Sequence, residues 1–173
     1  AKSIPLPLQD YQLKRLVVFM DPVADTSGDG WQVLQSLWAI GSGGFWGKGY
    51  RQGTQSQLNF LPEHHTDFIF SVVGEEFGFI GTITLLFFFL VFLFRAINIA
   101  MRAKDVYGTL IATGIVSMFT FHILVNVGMT SGIMPVTGIT LPIISYGGSA
   151  MWTNLIAIGL LLSINIRRQR LMF

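Results

Sequence analysis

The sequence predicts an all-α integral membrane protein: a multi-span helical bundle fragment with about three transmembrane helices and a large extracytoplasmic loop carrying short interfacial helices. Three observations predict it. Only 12% of the residues are charged and 51% are hydrophobic, where a soluble domain carries about 25% charged residues. Residues 106–166 contain no Asp, Glu, Lys or Arg, which leaves room for two spans of about 20 residues each. Two short basic segments, one with Arg95, Arg102 and Lys104 and one with Arg167, Arg168 and Arg170, follow apolar runs and are expected to face the cytoplasm.

Taken in order, residues 1–67 read as an extracytoplasmic loop region. Asp21, Pro22, Asp25, Ser27, Gly28 and Gly30 make a turn-rich linker. Asp29 with Gln32 three residues on resembles a capping box. It predicts a short helix with Trp31, Leu34 and Trp38 on one stripe. Two readings of that stripe stand: a membrane interface, which suits indoles, or ordinary burial. Residues 41–53, GSGGFWGKGYRQG, form a glycine-rich loop. It is not a phosphate-binding loop, because Gly49 follows Lys48 and Ser42 stands where the first glycine belongs. Glycines instead let a backbone approach something closely. The first span is placed at 68–95, a cytoplasmic loop at 96–105 and the second span at 106–130. A Gly/Pro-broken extracytoplasmic turn follows at 131–141, then the third span at 142–166 and a cytoplasmic tail at 167–173. The start lacks Met and a signal-like pattern, so the chain is expected to be the C-terminal part of a larger protein. No internal repeat is seen. Net charge is only +2, so nucleic acid is not a partner class, and the absence of Cys excludes disulfides, thiolate catalysis and cysteine-based metal sites.

The candidate site lies where polar and apolar sequence meet. Glu63, His64, His65, Thr66 and Asp67 crowd the start of the first span, and Glu75 and Glu76 follow inside it. Ionisable groups in such a place mark function by default. Asp67 has two readings. As a helix N-cap, with Thr66 the alternative, it stays ionised and is a weak base. In a partly apolar cavity it is a stronger base, able to take a proton at neutral pH. Glu75 lies nearer Asp67's face than Glu76, since neighbours on a helix point about 100° apart. A supporting role is expected for this pair: pairing with a cation on a helix missing from this chain, or holding water in a cavity. His64 and His65 with Glu63 and Asp67 offer nitrogen and oxygen to a divalent ion at the mouth; the adjacent histidines lack zinc-helix spacing, which leaves a loosely held Mg or Mn between the carboxylates and a substrate diphosphate. Lys48 and Arg51 are either solvated charges or contacts for an anionic headgroup. His122 and Asn126, one turn apart in the second span, read as interhelical hydrogen-bonders or cavity lining. Ser145 and Ser149 flank the Gly147–Gly148 pair; they either reach a substrate or simply pack.

Two blocks together carry a resemblance. QSLWAIGSGGFWGKGYRQGTQSQLNFLPEHHTDFIFSVVGEEFGFIG and NVGMTSGIMPVTGITLPIISYGGSAM resemble the C-terminal part of the shape, elongation, division and sporulation (SEDS) family. The stretch GTQSQLNFLPEHHTDFIF is more similar to the elongation branch, RodA, than to the division branch, FtsW. The resemblance covers essentially the whole chain. It implies a peptidoglycan glycosyltransferase that polymerises lipid II, with Asp67 matching the family's catalytic aspartate. An aspartate base suits the chemistry, because a sugar 4-hydroxyl is a poor nucleophile until its proton is taken. Only one carboxylate is needed, since the leaving diphosphate departs unprotonated, unlike the paired acids of glycoside hydrolysis. Lys48, Arg51, Glu63, His65, Glu75, Ser145 and Ser149 are then the substrate-binding candidates. No cofactor is required beyond a possible divalent cation, Mg or Mn, at the diphosphate. The implied partners are lipid II, a class B penicillin-binding protein and other membrane proteins of the elongation complex. The implied location is the bacterial cytoplasmic (inner) membrane, multi-pass, with a cytoplasmic C-terminus. A fragment of this size is expected to be inactive alone. Two rival readings remain: a lipid II flippase, which would use intramembrane Glu75, Glu76 and His122, and a scaffold for the penicillin-binding protein.

Overall fold

The structure, a computed structural model, describes Arg15, residues 28–53 and residues 66–168. Among the described residues there are four helices and no strand: α1 (Asp29–Gly43), α2 (Ile69–Met101), α3 (Val106–Thr130) and α4 (Gly148–Arg168). Three of them, α2, α3 and α4, are long and apolar enough to cross a membrane.

Helix α1 is the short one, and its start differs from the expected capping box. Gly28 takes the N-cap position with no side-chain cap bond. Asp29 is already helical, so the Gln32 amide bonds the Gly28 carbonyl at 3.3 Å. The buried stripe is Val33, Ser36, Ala39 and Gly43. The tryptophan stripe lies beside it, with Trp31 and Trp38 edge to face at 6.1 Å and Trp38 exposed. Small residues on the buried side let α1 run alongside the first turns of α2, as small residues do between membrane helices. The Ser36 and Ser71 hydroxyls bond each other there. Ser36 also donates to the Thr130 carbonyl at 2.7 Å, which supplies a donor to one of the carbonyls left over where α3 ends.

Helix α2 is broken at Gly78, whose backbone is non-helical at φ 64°, ψ −159°. A break in a span strands carbonyls and amides that lipid cannot satisfy. The glycine-rich loop supplies them. Lys48 and Gly49 amides donate to the Glu75 and Glu76 carbonyls, both at 3.0 Å. On the far side of the break, Phe79 and Ile80 amides donate to the Gly44 and Phe45 carbonyls at 2.9 and 3.3 Å. Backbones this close leave no room for a Cβ. One at Gly47 would overlap the Glu76 carbonyl, and one at Gly43 would overlap the Gly74 carbonyl.

The 33 residues of α2 are about 50 Å long at 1.5 Å per residue, well beyond a hydrocarbon core of about 30 Å. Its charge-free part, residues 77–94, matches that core at about 27 Å. The break therefore falls at the membrane edge on the Asp67 side, and residues 69–76 project beyond it. Phe45, Trp46 and Tyr50 are exposed at that level, Trp46 by 83%, as aromatic residues are at a bilayer interface.

Phe70, Phe89, Ile123 and Leu141 make the central core, and Phe92 meets Phe119 edge to face at 5.1 Å. At the opposite end Ala96, Ala100 and Ala112 close around Leu161, small residues again admitting a close approach. Two helix limits differ from expectation. Helix α2 continues past Arg95 to Met101, because an arginine at the edge of a span keeps its charged head out of the apolar layer and leaves the backbone helical. Helix α4 starts at Gly148 rather than at Pro142. Pro142 is buried, Ile143 sits at φ 70°, and the chain stays irregular through Gly147.

Candidate active site

Asp67 sits in a three-residue turn just before α2. The N-cap position falls to Phe68, so Asp67 stands one residue before it. Phe68 anchors the turn: its ring is 1% exposed and packs with Val33 and Val136. The backbone on either side of Phe68's neighbour is held by two side chains from elsewhere. Asn126, wholly buried in α3, donates from one amide nitrogen to the Asp67 carbonyl at 2.8 Å and the Ile139 carbonyl at 2.7 Å. Ser145 donates to the Thr66 carbonyl at 2.7 Å and accepts from the Leu141 amide at 2.8 Å. The peptides around Asp67 are thus tied to α3 and to the 131–147 segment. The carboxylate itself is half-buried, next to Gly138. A Cβ there would stand 3.4 Å from Asp67 Oδ2, and Gly138 has φ 74°. Glycine at 138 keeps the space beside the carboxylate open.

The second constellation is an ion pair. Lys48 Nζ meets Glu75 Oε1 at 2.8 Å, with Glu75 0% and Lys48 28% exposed. The cation expected on a missing helix is instead in this chain, on the glycine loop. The pair adds a side-chain tie to the backbone bonds that seat the loop on the break in α2. Glu76 is buried one residue on. Arg51, by contrast, is exposed at φ 60°, with its guanidinium 5.8 Å from the Tyr50 ring centre.

The remaining sequence candidates spread out. Glu63, His64 and His65 lie outside the described residues. Ser149 is exposed on the first turn of α4. His122 is half-buried beside Phe121, ring centres 6.5 Å apart. Among the described residues no group of three His, Asp or Glu side chains could hold a metal ion. Sequence reasoning missed Gly138, and it missed the Ser36–Ser71–Thr130 network that seats α1. The only signal for that network was a hydroxyl on a small-residue stripe, which reads equally as packing.

Comparisons with known proteins bear on this arrangement. The family model for FtsW, RodA and SpoVE, described as cell cycle protein, matches residues 3–170. The peptidoglycan glycosyltransferase RodA of Treponema pallidum is 51% identical over 93% of this chain and 37% of its own length. The peptidoglycan glycosyltransferase MrdB of Escherichia coli K12 is 45% identical over 95% of this chain and 44% of its own. Stage V sporulation protein E of Bacillus subtilis is 46% identical over 90% and 42%. A chain from a structure on the coordination of polymerization and crosslinking by a peptidoglycan synthase complex superposes with a TM-score of 0.75 at 33% identity, over 95% of this chain and 44% of that one. This chain thus spans less than half the length of each of these proteins. Its three apolar spans, the near end-to-end match and the shared fold agree: it is a multi-pass membrane protein, and it belongs to the FtsW/RodA/SpoVE (SEDS) family.

Proposed function

We propose that this chain carries the catalytic carboxylate of a peptidoglycan glycosyltransferase that polymerises lipid II during cell elongation. The observation behind it is the placement of Asp67: a half-buried carboxylate at the edge of a membrane span, its backbone tied through Asn126 and Ser145, with Gly138 leaving space beside it. The names of the relatives at 45–51% identity support the same reaction. Asp67 takes the proton from the 4-hydroxyl of the acceptor sugar. The oxygen attacks the donor's anomeric carbon, and the bond to the diphosphate breaks. Undecaprenyl diphosphate leaves with the electron pair and the carbon inverts. A general base contributes about 10²–10⁴-fold to such a step.

Negative charge develops on the departing diphosphate and needs a cation nearby. Arg51, exposed on the glycine loop that also carries Lys48, is assigned to the diphosphate, and Ser149 to the substrate at the mouth of α4. Mg or Mn enters only as the diphosphate's counter-ion, and no step runs through it. Glu63 and His65 stay as candidate contacts on the segment leading to Asp67. The basic ends at Arg102–Lys104 and Arg167 support a cytoplasmic side there by the positive-inside rule, with Asp67 on the outer side of an inner membrane. A class B penicillin-binding protein and other elongation-complex membrane proteins are the assigned partners.

The test uses the protein as purified from membranes with its partners, given lipid II in detergent. Asp67→Ala is expected to abolish polymer while partner co-purification is unchanged. A scaffold would keep supporting rod shape with Ala at that position. A flippase would make no polymer with Asp in place.

A further inference from the structure

The end of the bundle opposite Asp67 holds a groove of about 750 Å³ between α2 and α4. Arg95 and Asn98 line it from α2, Arg102 from the residue that ends that helix and Asn165 from α4, with Val91 and Phe94 as apolar wall on the membrane side. Arg95 and Asn98, three apart, share one helix face, and Arg102 meets the same groove from just past the helix end, so the two guanidiniums border one recess about 10 Å apart along the axis. No acidic side chain lines the groove, and neither guanidinium has an ion-pair partner among the described residues. Arg95 also ends the charge-free run of α2. The basic part of the recess therefore begins where hydrocarbon gives way to headgroups, the level at which phospholipid phosphates lie. Guanidinium forks fit phosphate oxygens in pairs, and basic recesses between membrane helices on the cytoplasmic side take anionic headgroups.

We propose that this groove binds the phosphodiester of an anionic glycerophospholipid, with Arg95 and Arg102 on the phosphate and Val91 and Phe94 against the start of the acyl chains. Charge complementarity and depth select this occupant. A free phosphate does not use the apolar wall, and a carboxylate from another membrane helix would leave no lipid to detect. The site is independent of the chemistry at Asp67.

The experiment is native mass spectrometry of the purified, delipidated protein with its partners, titrated with phosphatidylglycerol or phosphatidylcholine. Phosphatidylglycerol is expected to be retained preferentially. Arg95→Gln with Arg102→Gln is expected to weaken it about thirtyfold. Lys104→Gln, at the same end but outside the groove, is expected to leave binding within about twofold, as a contribution limited to the surface potential dictates. Should the double variant not fold, Asn165→Leu keeps both charges, narrows the groove and is expected to lose the lipid. Inorganic phosphate alone is expected to give no thermal stabilisation. Retention unchanged in the double variant, equal loss in Lys104→Gln, stabilisation by phosphate alone, or a membrane chain crosslinked to position 95 in place of lipid would each overturn the proposal.

Discussion

Asn126 shows how much a single amide decides. Its nitrogen holds two carbonyls, those of Asp67 and Ile139, and so couples the turn before α2 to the segment after α3. Asn126→Ala leaves both acceptors in a buried place without a donor. We expect a loss of about 2–3 kcal/mol in stability from that desolvation. Polymerisation should fall about tenfold or more, because a shift of about 1 Å in a catalytic group is enough for that. Thermal unfolding and a lipid II assay on the same preparation check the two effects. Gly138→Ala weighs more on the site than on the fold. The backbone strain at φ 74° costs about 1–2 kcal/mol. The added methyl stands 3.4 Å from Asp67 Oδ2, so the rate should drop further than stability does. An unchanged rate in Gly138→Ala would mean that substrate does not approach from that side.

At the scale of elements, the break in α2 and the loop that fills it are one device. Lys48 and Glu75 are far apart in sequence, and their pairing is set by the loop's seat on Gly78. Lys48→Met leaves Glu75 buried without its cation, which costs about 3 kcal/mol or more. Lys48→Met with Glu75→Gln should recover most of that. A double-mutant cycle by thermal unfolding measures the coupling, and additive losses would mean that the pair is incidental. What the sequence disclosed follows the same physics. The spans were legible because charge-free runs in a charge-poor chain have one use. The glycines of residues 41–53 announced a close approach, and Gly43 and Gly47 make it. Their partner was not legible, because no local pattern says that a loop will pair with a helix break more than twenty residues on. The start of α4 was hidden too. Pro142 and the apolar residues around it read as helix, whereas Ile143 at φ 70° and the Ser145 hydroxyl bonded to Leu141 hold the chain in another shape. At Asp67 the residues alone left capping and catalysis open. The turn gives the position, one residue before the N-cap, and the role proposed for it rests on family resemblance.

For the whole molecule, the lengths of the spans fix depth. The charge-free core of α2 puts Gly78 and its paired loop at one membrane edge, and Arg95 at the other. A direct consequence concerns Trp46 on the loop. With Trp31, Trp38 and Trp152 replaced by Phe, its fluorescence in vesicles should be quenched more by lipids brominated near the headgroup than by lipids brominated deep in the chain. Deeper quenching would move the break into the hydrocarbon and require a different account of its backbone pairing. The same depth argument sets Asp67 on the headgroup side of the break, which suits the proposed substrate, a sugar whose diphosphate stays at the interface and whose tail stays in the bilayer.

The most direct measurement is the rate of lipid II polymerisation by the membrane-purified protein with Asp67→Asn, which keeps the shape of the side chain and removes its basicity. A fall of at least about 100-fold is expected, with the thermal midpoint and partner binding unchanged. Polymer formed by the Asn variant at the parent rate would contradict the assignment of Asp67 as the base.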